Sequence, residues 1–256
     1  MPAYGVILPT AEIDAAATTH ADYVEPTIVG NLVVESEGRW ILNPQYRGAE
    51  RSPSFAILFP GSLRIADPGF PAQEVTRYLE DVLAVVGAHA ADGARIVLGS
   101  GIARTVPDGV DREAAERRFA EVVAEARDIA RRNGVRIVLE PLHRGETNLI
   151  HTIDEAVAFL DRHGIDDVPV VADLFHIMLE GEPLEQVGAH AGRVGHAHIA
   201  DTDRRPPGQG DWPLREFLTA LRNGGYDGAV SIECFWQDVA AELPAALAAV
   251  RGADAR

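Results

Sequence analysis

The sequence predicts a (β/α)8 barrel, and two observations carry this prediction. Short runs of β-branched and aliphatic residues, bounded by glycine or proline, alternate along the chain with segments whose apolar residues recur at helical spacing. The strand-then-helix order with short connections is what a parallel sheet with right-handed crossovers requires. About eight such units fit the 256 residues, the usual length of one closed α/β barrel. We therefore expect a single domain over residues 1–256.

The first half of the chain supplies the less regular elements. Residues Tyr4–Leu8 and 21–25 are predicted as the first two strands, and Pro26 stops the second. A short alanine-rich helix is predicted between them, over 15–20. Neither a helical nor a strand period holds over 28–53, so no element is predicted there. The next elements are a strand at 54–59, ended by Pro60 and Gly61, a helix at 74–91 and a strand at 95–98.

The clearest helix of the chain lies near its middle. Asp111 is its predicted N-cap, apolar residues follow at helical spacing, and Asn133 with Gly134 ends it. Thr152 and Glu155 form a capping-box pattern, which predicts a helix from there to residue 164. Three further helices are predicted over 184–191, Leu214–Asn223 and 239–250.

Composition excludes several classes of partner. Lysine and arginine number 23 and aspartate and glutamate 39, so the formal net charge is −16 and the chain repels nucleic-acid phosphates and anionic membranes. The single Cys234 cannot form an internal disulfide. No apolar run approaches the roughly 18 residues of a membrane span, and the first residues lack the basic and apolar regions of a signal peptide. We expect a cytoplasmic protein with no nucleic-acid or membrane partner.

Four predicted strands each end in a side chain that binds metals. The apolar runs 135–140, 168–173, 194–198 and 229–233 end in glutamate, aspartate, histidine and glutamate. The carboxyl ends of barrel strands meet at one rim, where α/β barrels have their chemistry. Any one of these side chains alone is explained by contacts with helix N-termini and backbone amides, but four in the same place favour one metal site, formed by Glu140, Asp173, His198 and Glu233. Three carboxylates and one imidazole suit a divalent ion, with Mn2+ ahead of Mg2+ and Co2+, and no organic cofactor is expected.

The motifs around these side chains resemble the xylose-isomerase-like barrels of the sugar phosphate isomerase/epimerase superfamily, which includes ketose 3-epimerases and inosose dehydratases. The matching motifs are Glu140-Pro-Leu, Asp173-x-x-His176, His196-x-His198 and Ser231-Ile-Glu233. The resemblance implies that Glu140, Asp173, His198 and Glu233 bind one divalent metal. It also implies that Glu146, His176 and Arg204 contact substrate hydroxyls. His196 is expected to support His198.

Such a site predicts proton abstraction next to a sugar carbonyl. A metal that chelates a carbonyl oxygen and a neighbouring hydroxyl makes the proton on the adjacent carbon removable. Glu140 and Glu233 leave strands three places apart on an eight-strand ring, so they can flank the substrate. Return of the proton to the opposite face gives epimerisation, and return to the neighbouring carbon gives aldose-ketose isomerisation. We expect a small carbohydrate substrate, and the sequence leaves both outcomes open.

One residue departs from the family pattern. Many of the epimerases carry asparagine three residues after the first glutamate ligand, where this chain has His143. An imidazole there is a candidate general base, and the alternative is that it only hydrogen-bonds a substrate hydroxyl or a carboxylate. A base at this position raises a second hypothesis, because the chain is also similar to the metal-bearing subunits of C-glycoside deglycosidases. Those lyases act on 3-oxo-glucosides and need a small β partner subunit, whereas an epimerase needs at most a homo-oligomer.

Two other classes are less well supported. Apurinic endonucleases of the same fold gather three zinc ions with additional histidines, but residues 59–61 and 98–100 contain none. The charge of −16 also argues against a DNA substrate. A barrel that only binds a sugar or a partner would carry no stoichiometric metal, so metal analysis separates it from the enzymes.

Overall fold

Eight parallel strands form the barrel in the computed structural model, which describes residues 2–9, 21–47 and 51–255. The helix predicted over 15–20 lies outside the described residues. In sheet order the strands are β2, β1, β10, β9, β8, β7, β6 and β5. Their bounds are β1 Tyr4–Leu8, β2 Tyr23–Pro26, β5 Ser52–Phe55, β6 Ala90–Leu98, β7 Arg136–Leu139, β8 Val170–Asp173, β9 Val194–Ile199 and β10 Val230–Ile232.

The ring closes between β2 and β5. Thr27 and Ala56 form an isolated parallel bridge just beyond these two strands. The Ala56 N–H donates to the Pro26 carbonyl at 3.0 Å, and the Ile28 N–H donates to the Ala56 carbonyl at 2.8 Å. The predicted (β/α)8 barrel is therefore confirmed, with its last seam held by a few backbone hydrogen bonds rather than by a long ladder.

Helices connect the strands on the outside. Their bounds are α1 Ala72–His89, α2 Gly101–Arg104, α3 Arg112–Arg132, α4 Ile153–Arg162, α5 Leu174–Glu180, α6 Leu184–Ala189, α7 Leu214–Asn223 and α8 Val239–Asp254. The Asp111 carboxylate accepts from the Ala114 N–H, as the N-cap prediction requires. The Thr152 hydroxyl likewise accepts from the Glu155 N–H at 3.1 Å, while Glu155 accepts from the His151 N–H instead of completing the capping box. Within the described ranges no helix is long and apolar enough to cross a bilayer.

The region from 28 to 59 differs from the sequence prediction. The strand expected at 54–59 ends at Phe55, because Ile57 adopts a φ of 57° and turns the chain away from the ladder. An antiparallel hairpin, β3 Val33–Ser36 with β4 Arg39–Leu42, lies in the stretch where no element was predicted. Arg39 pairs with Asp81 on α1 and so fixes the hairpin to that helix. Its side chains are largely exposed, which is why it has no apolar pattern.

The barrel interior is small and partly polar. Val97, Val138 and Val171 form an apolar cluster of their own, separate from the main core. Alternate strand residues face the interior, and His196, paired in register with Val171, is fully buried next to them. A buried polar side chain, His196, therefore lies inside the barrel beneath the carboxyl ends of the strands.

Candidate metal and substrate site

The four predicted metal ligands meet at the carboxyl rim. Glu140 follows β7, Asp173 ends β8, His198 is the next-to-last residue of β9 and Glu233 follows β10. One carboxylate oxygen or ring nitrogen from each residue lies within 4.8 Å of those of the other three. The register of neighbouring strands explains this, because Asp173 and His198 are directly paired across β8 and β9.

The donor set fits a divalent cation. Glu140, Asp173 and His198 are buried and Glu233 is half-buried, and the Oδ2 atom of Asp173 has no hydrogen-bond partner. Three carboxylates gathered at one largely buried place are very costly unless positive charge compensates them. Three oxygen donors and one imidazole match the ligand preferences of Mn2+ and related ions.

The pKa values of the cluster show the cost of bringing these carboxylates together. Burial, and then the charges of Glu233 and Glu140, raise the pKa of Asp173 to about 7. Burial also raises the pKa of Glu140. Burial acts on Glu233 in the same direction, but His198 and Arg204 outweigh it and lower the pKa of Glu233 to about 2. Two catalytic candidates in one site thus differ in the protonation state that their surroundings favour.

His198 lies between two groups of carboxylates. Its Nδ1 atom is 3.1 Å from Glu140 Oε1 and 3.1 Å from Glu233 Oε2, and its Nε2 atom is 3.3 Å from Glu25 Oε1. Burial opposes the charged form, but the three carboxylates raise the pKa of His198 well above its ordinary value. These contacts favour the protonated ring, which donates from both nitrogens.

Glu25 is a site residue that the sequence analysis missed. It ends the apolar part of β2, is fully buried, and accepts from Ser54 Oγ at 2.7 Å. Its Oε2 atom is 2.7 Å from His196 Nε2 and also accepts from the Ser231 hydroxyl. The signal that could have found it is that the run predicted as the second strand, 21–25, ends in an acidic side chain, as three of the four runs considered do.

The three expected substrate contacts surround the metal cluster. An Arg204 guanidinium nitrogen is 2.9 Å from Glu233 Oε1 and another is 3.3 Å from Glu146 Oε1, and the group lies 4.6 Å from the Phe175 ring centroid. His176 is buried with its Nε2 atom 3.4 Å from Asp173 Oδ2. The structure therefore brings these three residues to the rim of the cluster.

The loop that carries Arg204 is tightly tied. Asp203 and Arg204 both have positive φ, 59° and 57°, a conformation that costs side-chain-bearing residues about 1 kcal/mol or more each. The buried Asp201 carboxylate accepts from the backbone N–H groups of Thr202, Gly208 and Trp212 at 2.8, 2.9 and 3.0 Å. These bonds hold the strained turn and so place the guanidinium over the site.

His143 stacks on His176, with ring centroids 5.3 Å apart. The Gly145 N–H donates to His143 Nδ1 at 3.1 Å, and the His143 N–H donates to His176 Nδ1 at 3.2 Å. In their neutral forms both rings therefore carry the proton on Nε2, and His143 Nε2 is 3.2 Å from Glu146 Oε1. His143, Glu146 and His176 lie close enough to hold an ion, but these tautomers make the pair hydrogen-bond donors rather than ligands.

Two residues of the 99–104 segment hold Glu140 in place. A β-carbon at Gly99 would lie 2.2 Å from Glu140 Oε2, so only glycine allows this carboxylate its position. The fully buried Arg104 donates to the Glu140 carbonyl at 2.6 Å and to the Ile150 carbonyl at 3.2 Å. Arg104 thus acts on the backbone of the β7 end.

A cavity of about 540 Å³ opens above the cluster. One side is charged and contains Glu140, Glu146, His176, Arg204 and Glu233. The opposite side is largely apolar, and its side chains come from Val29, Ile57, Phe59, Pro60 and Ile102. The site can therefore bind a polar group against the cluster and a less polar group across from it.

Comparisons with known proteins give the family context. The chain is 35% identical over 127 residues to a D-psicose 3-epimerase from Agrobacterium fabrum, covering 49% of this chain and 44% of that protein. It is 33% identical over 107 residues to the 3-dehydro-D-guloside 4-epimerase of Escherichia coli, covering 41% of this chain and 40% of that protein. Each alignment thus spans less than half of the relative's length.

Solved structures show the fold over almost the full chain. An L-ribulose 3-epimerase superposes with a TM-score of 0.78 at 18% identity, covering 99% of this chain and 96% of that one. The IOLI protein, whose structure holds a zinc atom, superposes with a TM-score of 0.69 at 16% identity, covering 98% and 96%. A family model described as xylose isomerase-like TIM barrel matches residues 13–254, and the chain belongs to that family.

Proposed function

We propose that this protein is a divalent-metal-dependent epimerase or isomerase that removes a proton next to the carbonyl of a keto-sugar. The observation that carries the proposal is the convergence of Glu140, Asp173, His198 and Glu233, with the Oδ2 atom of Asp173 lacking any hydrogen-bond partner. The similarity to proteins named as ketose 3-epimerases and isomerases supports the same reaction class.

The proposed chemistry divides the work between two glutamates. A divalent cation, when bound by the four ligands, supplies the charge that stabilises a developing enediolate of the substrate. Glu233, the more readily ionised of the pair, takes the proton from the carbon next to the carbonyl, and Glu140, whose raised pKa favours its protonated form, gives its own proton to the enediolate. Glu233 then loses its proton to solvent and Glu140 regains one before the next turnover. Return to the opposite face gives the epimer, and return to the neighbouring carbon along one face gives the isomer.

Three polar side chains orient the sugar in this proposal. Arg204 and Glu146 lie on one side of the cavity and His176 between them and Asp173, so each offers a donor or acceptor to a substrate hydroxyl. Burial lowers the pKa of His176 to about 3, so it acts as a neutral Nε2–H donor. His143 supports Glu146 from behind through its own Nε2–H.

We infer Mn2+ as the metal because three carboxylates and one imidazole, with no thiolate, favour it over softer metal ions. The zinc atom in the IOLI structure shows that a relative binds a divalent ion, and it does not select the ion for this chain. The single cysteine is typical of a cytoplasmic protein, and a homo-oligomer is the partner arrangement we propose.

The lyase hypothesis is weaker. The relatives named above are epimerases and isomerases and give it no support, and the His143 tautomer offers no free lone pair for a base. The apolar side of the cavity does favour a second candidate substrate, a 3-oxo-glycoside with a less polar aglycone. A relative named as a 3-dehydro-D-guloside 4-epimerase supports including that class.

Solvent deuterium exchange tests the proposal. The protein is incubated with Mn2+ in D2O with free ketoses, aldoses and 3-oxo-glycosides, and the products are followed by NMR. We expect deuterium at one carbon next to the carbonyl, together with a new epimer or isomer, and no exchange after chelation. Exchange with a released aglycone would favour the lyase, and no exchange in any substrate at full metal loading would contradict the proposal.

A further inference from the structure

We propose that Glu25 is a positioning residue whose carboxylate keeps the proton of His198 on Nε2 and so presents the Nδ1 lone pair to the cation. This inference rests on the proposed metal-dependent function. It assigns a task to a buried acid that lies beneath the four proposed ligands and contacts only one of them.

The hydrogen bonds of Glu25 determine its state. Its two oxygens are contacted by the hydroxyls of Ser54 and Ser231 and by the Nε2 atoms of His196 and His198, at distances up to 3.3 Å. Three of the four contacts fall on Oε2 and the His198 contact falls on Oε1, and all four come from groups that can donate to an ionised carboxylate. The Ser231 hydroxyl donates to Glu25, and so it accepts from the Tyr23 hydroxyl at 2.7 Å. Glu25 is therefore an acceptor only, and both imidazoles must present an Nε2–H to it.

The other edge of the His198 ring faces the proposed metal ligands. Nδ1 lies 3.1 Å from Glu140 Oε1 and from Glu233 Oε2, inside the cluster that also contains Asp173. A neutral imidazole has one N–H and one lone pair, and the hydrogen bond of one nitrogen decides which nitrogen binds a metal. With Nε2–H on Glu25, the nitrogen left for the cation is Nδ1.

Burial makes this arrangement rigid. Glu25 and His196 are 0% exposed and His198 is 1% exposed, so water does not replace a lost contact. His196 packs edge-on against His198, with ring centroids 4.9 Å apart and planes at 87°. The ring of His198 therefore has one orientation, set by Glu25 on its Nε2 edge and by Glu140 and Glu233 on its Nδ1 edge.

One alternative use of the same atoms has to be separated. Glu25, His196 and His198 are close enough to hold an ion themselves. That use would remove the proton from both Nε2 atoms, and His198 would then bind two cations as an imidazolate. The proton arrangement requires a single ion per chain, whereas the alternative requires two.

The experiment measures metal binding, which needs no knowledge of the substrate. Calorimetric titration of the purified metal-free protein with MnCl2 is compared between wild type, Glu25→Gln and Asp81→Asn. Glutamine retains the shape but places an amide N–H2 against ring N–H groups, so we expect Mn2+ affinity to fall about 10- to 100-fold. Asp81→Asn removes a buried acid on α1, remote from the cluster, and should leave the affinity unchanged.

A second measurement keeps the test decisive if Glu25→Gln folds poorly. In zinc-loaded wild type, nitrogen-15 NMR should show the His198 proton on Nε2 and none on Nδ1. Three results would overturn the role of Glu25. They are a proton on His198 Nδ1, equal Mn2+ affinity in wild type and Glu25→Gln, and a stoichiometry of two ions per chain that falls to one in the variant. Wild type that binds no divalent ion would contradict the proposed function as well, whereas metal binding without any sugar reaction would contradict only the proposed function.

Discussion

The Arg204 guanidinium lies 2.9 Å from Glu233 Oε1, and the arginine holds this position with a left-handed backbone. The pair is largely buried, with side-chain exposures of 15% and 20%. A strained residue that neutralises a candidate base at a cavity mouth is placed for function rather than for stability. We therefore propose two tasks for Arg204, to keep Glu233 ionised and to contact a substrate oxygen.

Replacing Arg204 with alanine should reduce kcat/KM by about 100-fold, because a buried charge-assisted contact contributes roughly 2–3 kcal/mol. Arg205→Ala is the matched control, because the Arg205 side chain is about half exposed and contacts Asp203 and the Thr202 carbonyl, neither of which belongs to the cluster. Steady-state kinetics on the substrate found by deuterium exchange measure both. Equal kinetics in wild type and Arg204→Ala would remove Arg204 from the site.

Glu140 and Glu233 should handle different epimers. If each transfers the proton on one face, Glu233→Gln stops solvent exchange of one epimer, and Glu140→Gln stops exchange of the other, while both abolish epimerisation by about 1000-fold or more. Exchange is followed by NMR from each epimer separately, at Mn2+ concentrations that saturate each variant. Loss of exchange from both epimers in both variants would show that the two carboxylates do not act on separate faces.

The barrel and the rim cluster follow from local patterns. Each of β7 to β10 is a short apolar run that ends in or next to a polar side chain. This pattern predicts one rim for the four side chains that the structure brings together there, Glu140, Asp173, His198 and Glu233. The helix predicted over Leu214–Asn223 has these same bounds in the structure, because its apolar residues form a strong stripe at helical spacing.

The features that were missed depend on contacts between distant residues. Glu25 is 171 positions from His196, so no spacing in the sequence connects them. The hairpin at 33–42 has mostly exposed side chains, and its contacts with α1, Arg39 with Asp81 and Trp40 with Tyr78, join residues about 40 positions apart. The end of β5 depends on the φ of Ile57, a residue type that favours strands.

His143 should not behave as a general base. The Gly145 N–H occupies its Nδ1 lone pair, and its Nε2 proton faces Glu146. We expect His143→Asn, which restores the amide common in the family, to retain kcat within about tenfold and to leave the pH profile of kcat unchanged. A fall of 100-fold or more, with loss of the limb near neutral pH, would support the base and revive the lyase hypothesis.

Metal binding should release protons. Asp173 has a pKa raised to about 7 by burial and by its carboxylate neighbours, and His198 has a pKa raised well above the ordinary value. A cation binds only the deprotonated forms, so Mn2+ affinity should rise at least tenfold per pH unit between about pH 6 and 7. Calorimetry in two buffers of different ionisation enthalpy measures the released protons, and an affinity that is flat over this range would contradict the shifts.

Glu182 offers a test of stability that is independent of the site. It is buried and accepts from the Ile153 N–H at 3.0 Å, and burial raises its pKa to about 7 from 4.5. Because the folded state favours the protonated acid, wild type loses stability as the pH rises from 4.5 through 7. Glu182→Gln should therefore unfold with a free energy about 1 kcal/mol higher than wild type at pH 8 and equal to it below pH 4.5, as measured by urea titration. Glu185→Gln, a substitution at an exposed neighbour, is the control and should match wild type at both pH values. If Glu182→Gln is instead less stable than wild type at pH 8, the contact with the Ile153 N–H needs the charged form of Glu182.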